Sequence, residues 1–79
     1  MNLTVKLHTT LKKFAPPDAE NGTIEMQLDP GATPRAIAAI LSIPEDFVGA
    51  VFIDGQRADL DTALAEGMEL NFLAPIGGG

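Results

Sequence analysis

Few side chains in this chain could do chemistry. It has no cysteine, a single histidine (His8), a single serine (Ser42), and neither Tyr nor Trp. Without thiols there is no disulfide scaffold, no thiol nucleophile and no thiolate metal site. One imidazole leaves no partner for a zinc site and little for a histidine-based triad; on the polar phase of its strand, His8 reads as a solvated surface residue. Asp54, Asp59 and Asp61 cluster in sequence, but no EF-hand spacing or bidentate Glu follows, so no metal site is expected and turn chemistry accounts for them. Lys12 and Lys13 read as exposed lysines. The unusual feature is the end, Gly77-Gly78-Gly79. It is no phosphate-binding loop, because no helix follows it. Terminal glycines are costly to order and can simply fray. Alternatively, the terminal carboxylate is itself the reactive group. Residues without a Cβ can pass through a narrow tunnel and bring that carboxylate to a nucleotide. The six residues from Ala74 would span at most about 20 Å.

The elements that would position such an end fit in one domain. The chain has 79 residues, 46% hydrophobic and 20% charged, which is globular rather than disordered composition. Five basic against eleven acidic residues give a net charge of -6. Nucleic acid and anionic membrane surfaces are thereby disfavoured as partners, whereas a basic protein is permitted. No targeting segment or bilayer-length apolar run is visible, so a cytoplasmic protein is expected.

Leu3, Val5 and Leu7 alternate with polar residues, as do Ile24 and Met26, predicting two strands paired as a hairpin across the loop Pro16–Gly22. Leu11 and Phe14 suggest a turn or short helix between them. Thr33-Pro34 is a helix start, with Ile37, Ile40 and Leu41 on one stripe and Pro44 as the stop. The apolar run Phe47–Ile53 ends in the turn signal Asp54-Gly55, followed by a short return strand at Gln56–Ala58. Asp61–Leu64 reads as one capped helical turn, Glu66-Gly67 as a turn, and Leu70 with Phe72 as the last strand. The expected core is Leu3, Val5, Leu7, Ile24, Met26, Leu28, Ile37, Ile40, Leu41, Leu64, Leu70 and Phe72. This order predicts an α+β, β-grasp (ubiquitin-like) fold: a four- to five-stranded mixed sheet with one main helix on one face. Residues 1–73 form the domain and 74–79 a flexible glycine-rich tail. Strand alternation sends either Ala50 with Phe52, or Val51 with Ile53, away from the helix. Leu73 is out of phase with Leu70 and Phe72. An apolar docking patch is therefore expected near the last strand, with Leu73 and Phe52 as anchors.

The last third, Asp61 to Gly79, resembles the MoaD/ThiS family of ubiquitin-like sulfur carriers, and most closely the small subunit of molybdopterin synthase. The likeness lies in a D-x-x-L turn, an acidic residue with Gly, a short strand, and an ending similar to F-x-P-P-V-x-G-G. From Gly67 onward the spacing needs no gap. The amino-terminal half is similar only in length and element order. Three departures stand out: Ala74 replaces the first proline of the usual pair, Gly77 replaces a residue with a side chain, and Ile53-Asp54-Gly55 replaces a turn that often contains Asn.

The resemblance implies that the chain is not an enzyme by itself, binds no cofactor, and supplies the sulfur-donating end of a synthase-type complex. A ubiquitin-activating-type adenylyltransferase would use ATP to adenylate the Gly79 carboxylate. A persulfide from a sulfurtransferase or cysteine desulfurase would convert it to a thiocarboxylate. The molybdopterin synthase large subunit, or a thiazole synthase, would receive the sulfur. Gly77 and Gly78 would give the tail clearance; Phe52, Phe72, Leu73, Pro75 and Ile76 would contact partners. The other readings are a sulfur carrier for thiamine thiazole or another metabolite, a ubiquitin-like protein modifier, and a noncovalent interaction domain. The sequence leaves the acceptor and the oligomeric state of the complex open.

Overall fold

The computed structural model describes residues 1–75. Five strands form one sheet: β1 (Asn2–Leu7), β2 (Thr23–Gln27), β3 (Ala50–Ile53), β4 (Gln56–Ala58) and β5 (Glu69–Leu73). Their order is β2-β1-β5-β3-β4. The central pair β1 and β5 is parallel and the other pairs are antiparallel. One α-helix, α1 (Pro34–Ile40), and two 3-10 turns, Thr9–Phe14 and Glu45–Phe47, complete the described elements. This is the expected β-grasp architecture, with the sheet mixed and five-stranded.

The pleat explains the core. Registers Val5↔Leu70, Leu7↔Phe72, Ile53↔Leu70 and Val51↔Phe72 line up apolar side chains across the central strands on one face. Leu3, Val5, Leu7, Leu70 and Phe72 are buried there with Leu11, Ile37, Ala38, Ile43, Val51, Ile53 and Leu64. Ile24, Met26, Leu28 and Leu41 are only partly buried. For Ile24 and Met26 the cause is that β2 is an edge strand, covered along one side only.

The helix begins as its sequence predicts. The Ala36 amide donates to Thr33 Oγ1 at 3.3 Å, and Pro34 occupies the first turn, where no amide is needed. Its buried face differs from the expected stripe. Pro34, Ile37 and Ala38 are buried, while Ile40 is 57% exposed. At about 100° per residue, positions 34, 37, 38 and 41 share one stripe, and position 40 lies about 110° from its centre. Ala38 and Pro34 lie on the buried side. The bulkier Ile40 lies outside.

Asp61–Leu64 is not helical. Asp59 organises this loop instead: its Oδ1 accepts from the Asp61 amide at 2.8 Å and from Thr62 Oγ1 at 3.2 Å. The loop is then pinned to α1, with the Leu64 amide donating to Ala32 O and the Arg35 amide to Leu60 O, both at 2.9 Å. The Asp54-Gly55 turn forms as expected, with φ of 49° and 87°. Both central residues in the left-handed region is the two-residue hairpin geometry that suits the sheet twist.

Candidate functional site

The reactive-end hypothesis depends on how β5 delivers the chain to its terminus. β5 is central, held by β1 on one side and β3 on the other, so its exit direction is fixed by two ladders. Its last residue, Leu73, pairs with Ala50. The Gly49 amide then donates to Leu73 O at 2.7 Å, extending that ladder one residue beyond β3. Ala74 and Pro75 continue directly across Gly49. A Cβ built on Gly49 would lie 2.6 Å from Pro75 Cα, 2.7 Å from Pro75 N and 2.8 Å from the Ala74 carbonyl carbon. Ala74 also packs on the core. Ala74 and Pro75 thus lie against the domain, just past the end of β5. Ile76, Gly77, Gly78 and Gly79 lie outside the described residues.

The sheet face turned away from α1 holds the other expected site residues. Alternation is resolved in favour of Val51 and Ile53 pointing inward. Ala50 and Phe52 point outward, with Leu73 beside them across the β3–β5 ladder. Phe52 and Leu73 are half-buried rather than exposed. Phe72 is fully buried; its phase on β5 puts the ring in the core, at the register positions of Val51 and Leu7. Pro75 is half-buried.

A polar network borders this apolar strip. His8 Nε2 and Asn71 Oδ1 are 2.7 Å apart, and Asn71 Nδ2 donates to Glu69 Oε2 at 3.4 Å. Lys6 Nζ lies 3.3 Å from Glu69 Oε1, and Thr4 Oγ1 donates to the Glu25 carboxylate. His8 is therefore a half-buried, hydrogen-bonded member of the open face and not a solvated residue. Each of the clustered aspartates has separate work. Asp54 Oδ1 accepts from the Glu69 amide at 3.0 Å, Asp59 shapes its loop and Asp61 binds Arg35. Among the described residues no three His, Asp or Glu converge as metal ligands, and no helix is long and apolar enough to cross a membrane.

Among the described residues, the large apolar side chains that are most exposed lie elsewhere, at Ile40 and at Phe47, 41% exposed. Phe47 meets Phe14 edge to face at 5.9 Å, and Lys13 Nζ sits 5.3–5.4 Å from both ring centres. Sequence reasoning placed neither this cluster nor Gly49 at a site. The signal for Gly49 was present: a lone glycine beside an apolar strand marks close approach of another backbone.

No protein-family model matches the chain, and no curated protein matches it. Solved structures do. SAMP1, small archaeal modifier protein 1, of Haloferax volcanii is 25% identical over the whole of both chains, with a TM-score of 0.71. A Pyrococcus furiosus protein provisionally named molybdopterin converting factor, subunit 1, is 17% identical over 95% of this chain and 98% of its own, with a TM-score of 0.69. A Helicobacter pylori structure of subunits 1 and 2 of molybdopterin-converting factor in complex includes a chain 22% identical over the whole of both chains, with a TM-score of 0.60. The shared architecture is the ubiquitin-like β-grasp fold.

Proposed function

We propose that this chain is a ubiquitin-like sulfur carrier of the MoaD/ThiS type. In this reading it acts as the small, sulfur-donating subunit of a molybdopterin synthase and is no catalyst alone. The observation that carries the reading is the central strand β5, whose two-sided ladder leads Ala74 and Pro75 across Gly49, in a sequence that ends in Gly77-Gly78-Gly79. Beside that exit lies a half-buried apolar strip of Ala50, Phe52 and Leu73, on the sheet face opposite the buried Val51 and Ile53.

The chemistry follows from what a carboxylate lacks. Oxide is a poor leaving group, so an adenylating enzyme joins the Gly79 carboxylate to the α-phosphate of ATP and releases pyrophosphate. Persulfide sulfur on a donor then attacks the acyl carbon and AMP leaves. A second thiol cleaves the resulting acyl disulfide, forming a protein disulfide and freeing the thiocarboxylate. That group is the nucleophile presented to an acceptor held by a large subunit. The thiols, ATP site and acid–base groups belong to partners, which fits a chain with no cysteine. The solved pair of subunits 1 and 2 supports a large-subunit partner for this chain.

The likeness to an archaeal modifier protein favours a second reading, in which the same activated Gly79 carboxylate acylates lysines of other proteins. Intact-mass spectrometry of the chain isolated from its own cells separates the two. Replacement of one oxygen by sulfur at Gly79 is the outcome expected for the carrier. In a tryptic digest of the same cells, an isopeptide branch of residues 58–79, the fragment that begins after Arg57, on lysines of other proteins would assign the modifier. Neither product would leave a noncovalent binding domain.

A further inference from the structure

We propose that Gly49 is a positioning residue for the reactive chain end, acting through Pro75; the inference rests on the carrier reading above. Gly49 has no φ in the left-handed region, so its backbone conformation does not demand glycine. What demands glycine is space. All three atoms nearest to a Cβ at this position are backbone atoms of Ala74 and Pro75, at 2.6–2.8 Å. Ordinary contact begins at 3.4 Å, so reaching it would take a retreat of 0.8 Å at Pro75, the difference between 3.4 and 2.6. No rotamer change can relieve this, because no side chain is in the way. The retreat is also opposed from behind: Gly49 N–H holds Leu73 O at 2.7 Å, and Leu73 is fixed to Ala50 by the ladder. A small side chain at 49 therefore redirects the chain at the pivot four residues before Gly79. Moving the point from which the last four residues set out shifts where the carboxylate can be presented, and misplacement by ~1 Å at a reacting centre can cost about 10²-fold in rate. Gly49 itself touches neither ATP nor the carboxylate.

The test compares the full-length wild type, Gly49→Ala and a control, Val51→Ala. Val51 lies two residues along on β3 and is buried, so its truncation loosens the fold without adding bulk under Pro75. Two readouts are needed. In the free chain, the amide chemical shifts of Ala74 and Ile76, which flank the proline, report whether the chain there senses position 49. In ATP–pyrophosphate exchange with the source cell's ubiquitin-activating-type adenylating enzyme, the chain is the varied substrate. Gly49→Ala is expected to shift the amides after Leu73 and to lower kcat by about tenfold to 10²-fold. KM should change less than kcat, since Ala50, Phe52 and Leu73 of the docking strip are unaltered. Val51→Ala should lower the melting temperature yet keep kcat. Equal kcat for Gly49→Ala and Val51→Ala overturns the proposal, as does a loss confined to KM. If Gly49→Ala does not fold, the double variant Gly49→Ala with Pro75→Gly decides. A freer backbone at 75 should restore folding, and failure to do so would place the clash elsewhere. A wild type that supports no exchange, with the amide shifts still seen, would remove the carrier reading and leave the Gly49–Pro75 coupling standing. Exchange by the wild type with unaffected Gly49→Ala would do the reverse.

Discussion

Arg35 grips Asp61 with both arms of its guanidinium: Nε donates to Oδ1 at 2.9 Å and Nη2 to Oδ2 at 3.1 Å. Its third nitrogen, Nη1, meets Glu45. One side chain on the first turn of α1 thus ties together the loop before β5 and the 3-10 turn before β3. Those are the two segments that lead into the strands carrying the exit site. The hydrogen bonds from Arg35, reinforced by its charge and opposed by partial desolvation, hold the Asp61 carboxyl below the usual carboxylate range. Arg35 is correspondingly pushed further up, first by Asp61 and then by Glu45.

The pair gives a pH-dependent contribution whose sign is set by that lowering. A carboxyl with a depressed folded-state pKa stabilises the fold above its unfolded value, about 3.9, and loses that contribution as pH falls through the folded value. Asp61→Asn should therefore melt below the wild type at pH 7, with the two curves converging below about pH 4. Both side chains are largely exposed, so the gap should be small and should shrink further in high salt. A gap that widened in acid would contradict the assignment.

The shifted helix stripe makes a paired prediction. Ile37→Ala removes a fully buried side chain and should cost about 2–5 kcal/mol, a large share of the roughly 4–12 kcal/mol expected for a domain of this length. Ile40→Ala alters an exposed position and should fall within about 0.5 kcal/mol of the wild type. Urea denaturation of both variants checks the face directly. Comparable losses would restore the stripe of 37, 40 and 41.

Where the sequence spoke through periodicity, the fold was legible. Strands β1, β2 and β5, the Thr33-Pro34 helix start and the Asp54-Gly55 turn each rest on a local rule that burial then enforces. Differences arise where one spacing allows more than one face. Ile40 follows Ile37 at i+3 and reads as part of its stripe, yet the buried face lies on the other side of Ile37 and takes Ala38. Phe72 reads as core from its phase with Leu70 and stands among the partner contacts only with the family resemblance; the structure places it in the core. Asp61–Leu64 carries a helix-start pattern, but Asp59 two residues earlier captures the Asp61 amide, and Arg35 draws the carboxylate away. The Gly49–Pro75 contact joins residues far apart in sequence, so only the β3–β5 register reveals it.

Docking should depend on the open face near the exit. Leu73→Asp puts a charge beside Ala50 and Phe52 on the uncovered side of the sheet. The chain should stay folded and bind the synthase large subunit at least about tenfold more weakly, a loss of roughly 1.4 kcal/mol. Ile40→Asp, on the exposed flank of α1, should leave that affinity unchanged. Calorimetric titration of both variants distinguishes the faces. Unaltered binding by Leu73→Asp would remove the strip from the interface, and loss confined to Ile40→Asp would move the interface to the helix side.

The deepest commitment concerns Gly79. If its carboxylate is the group adenylated and then sulfurised, shortening the chain by one residue draws the new terminus back by about 3.3–3.6 Å. Since ~1 Å of misplacement can cost about 10²-fold, deletion of Gly79 should lower single-turnover thiocarboxylate formation by more than that factor. Gly78→Val should do the same for a different reason, since a branched side chain needs room that a tunnel fitted to bare backbone lacks. Neither change touches the buried core, whose residues run from Leu3 to Phe72, so melting temperatures should match the wild type. The reaction needs ATP, the adenylating enzyme and a persulfide donor, with product read as mass. Loss of activity together with loss of stability would point to misfolding, whereas loss of activity alone assigns the chemistry to the end. A Gly79 deletion that still acquires sulfur at the wild-type rate would show that the terminal carboxylate is not the reactive group, and the glycines would return to being an ordinary chain end.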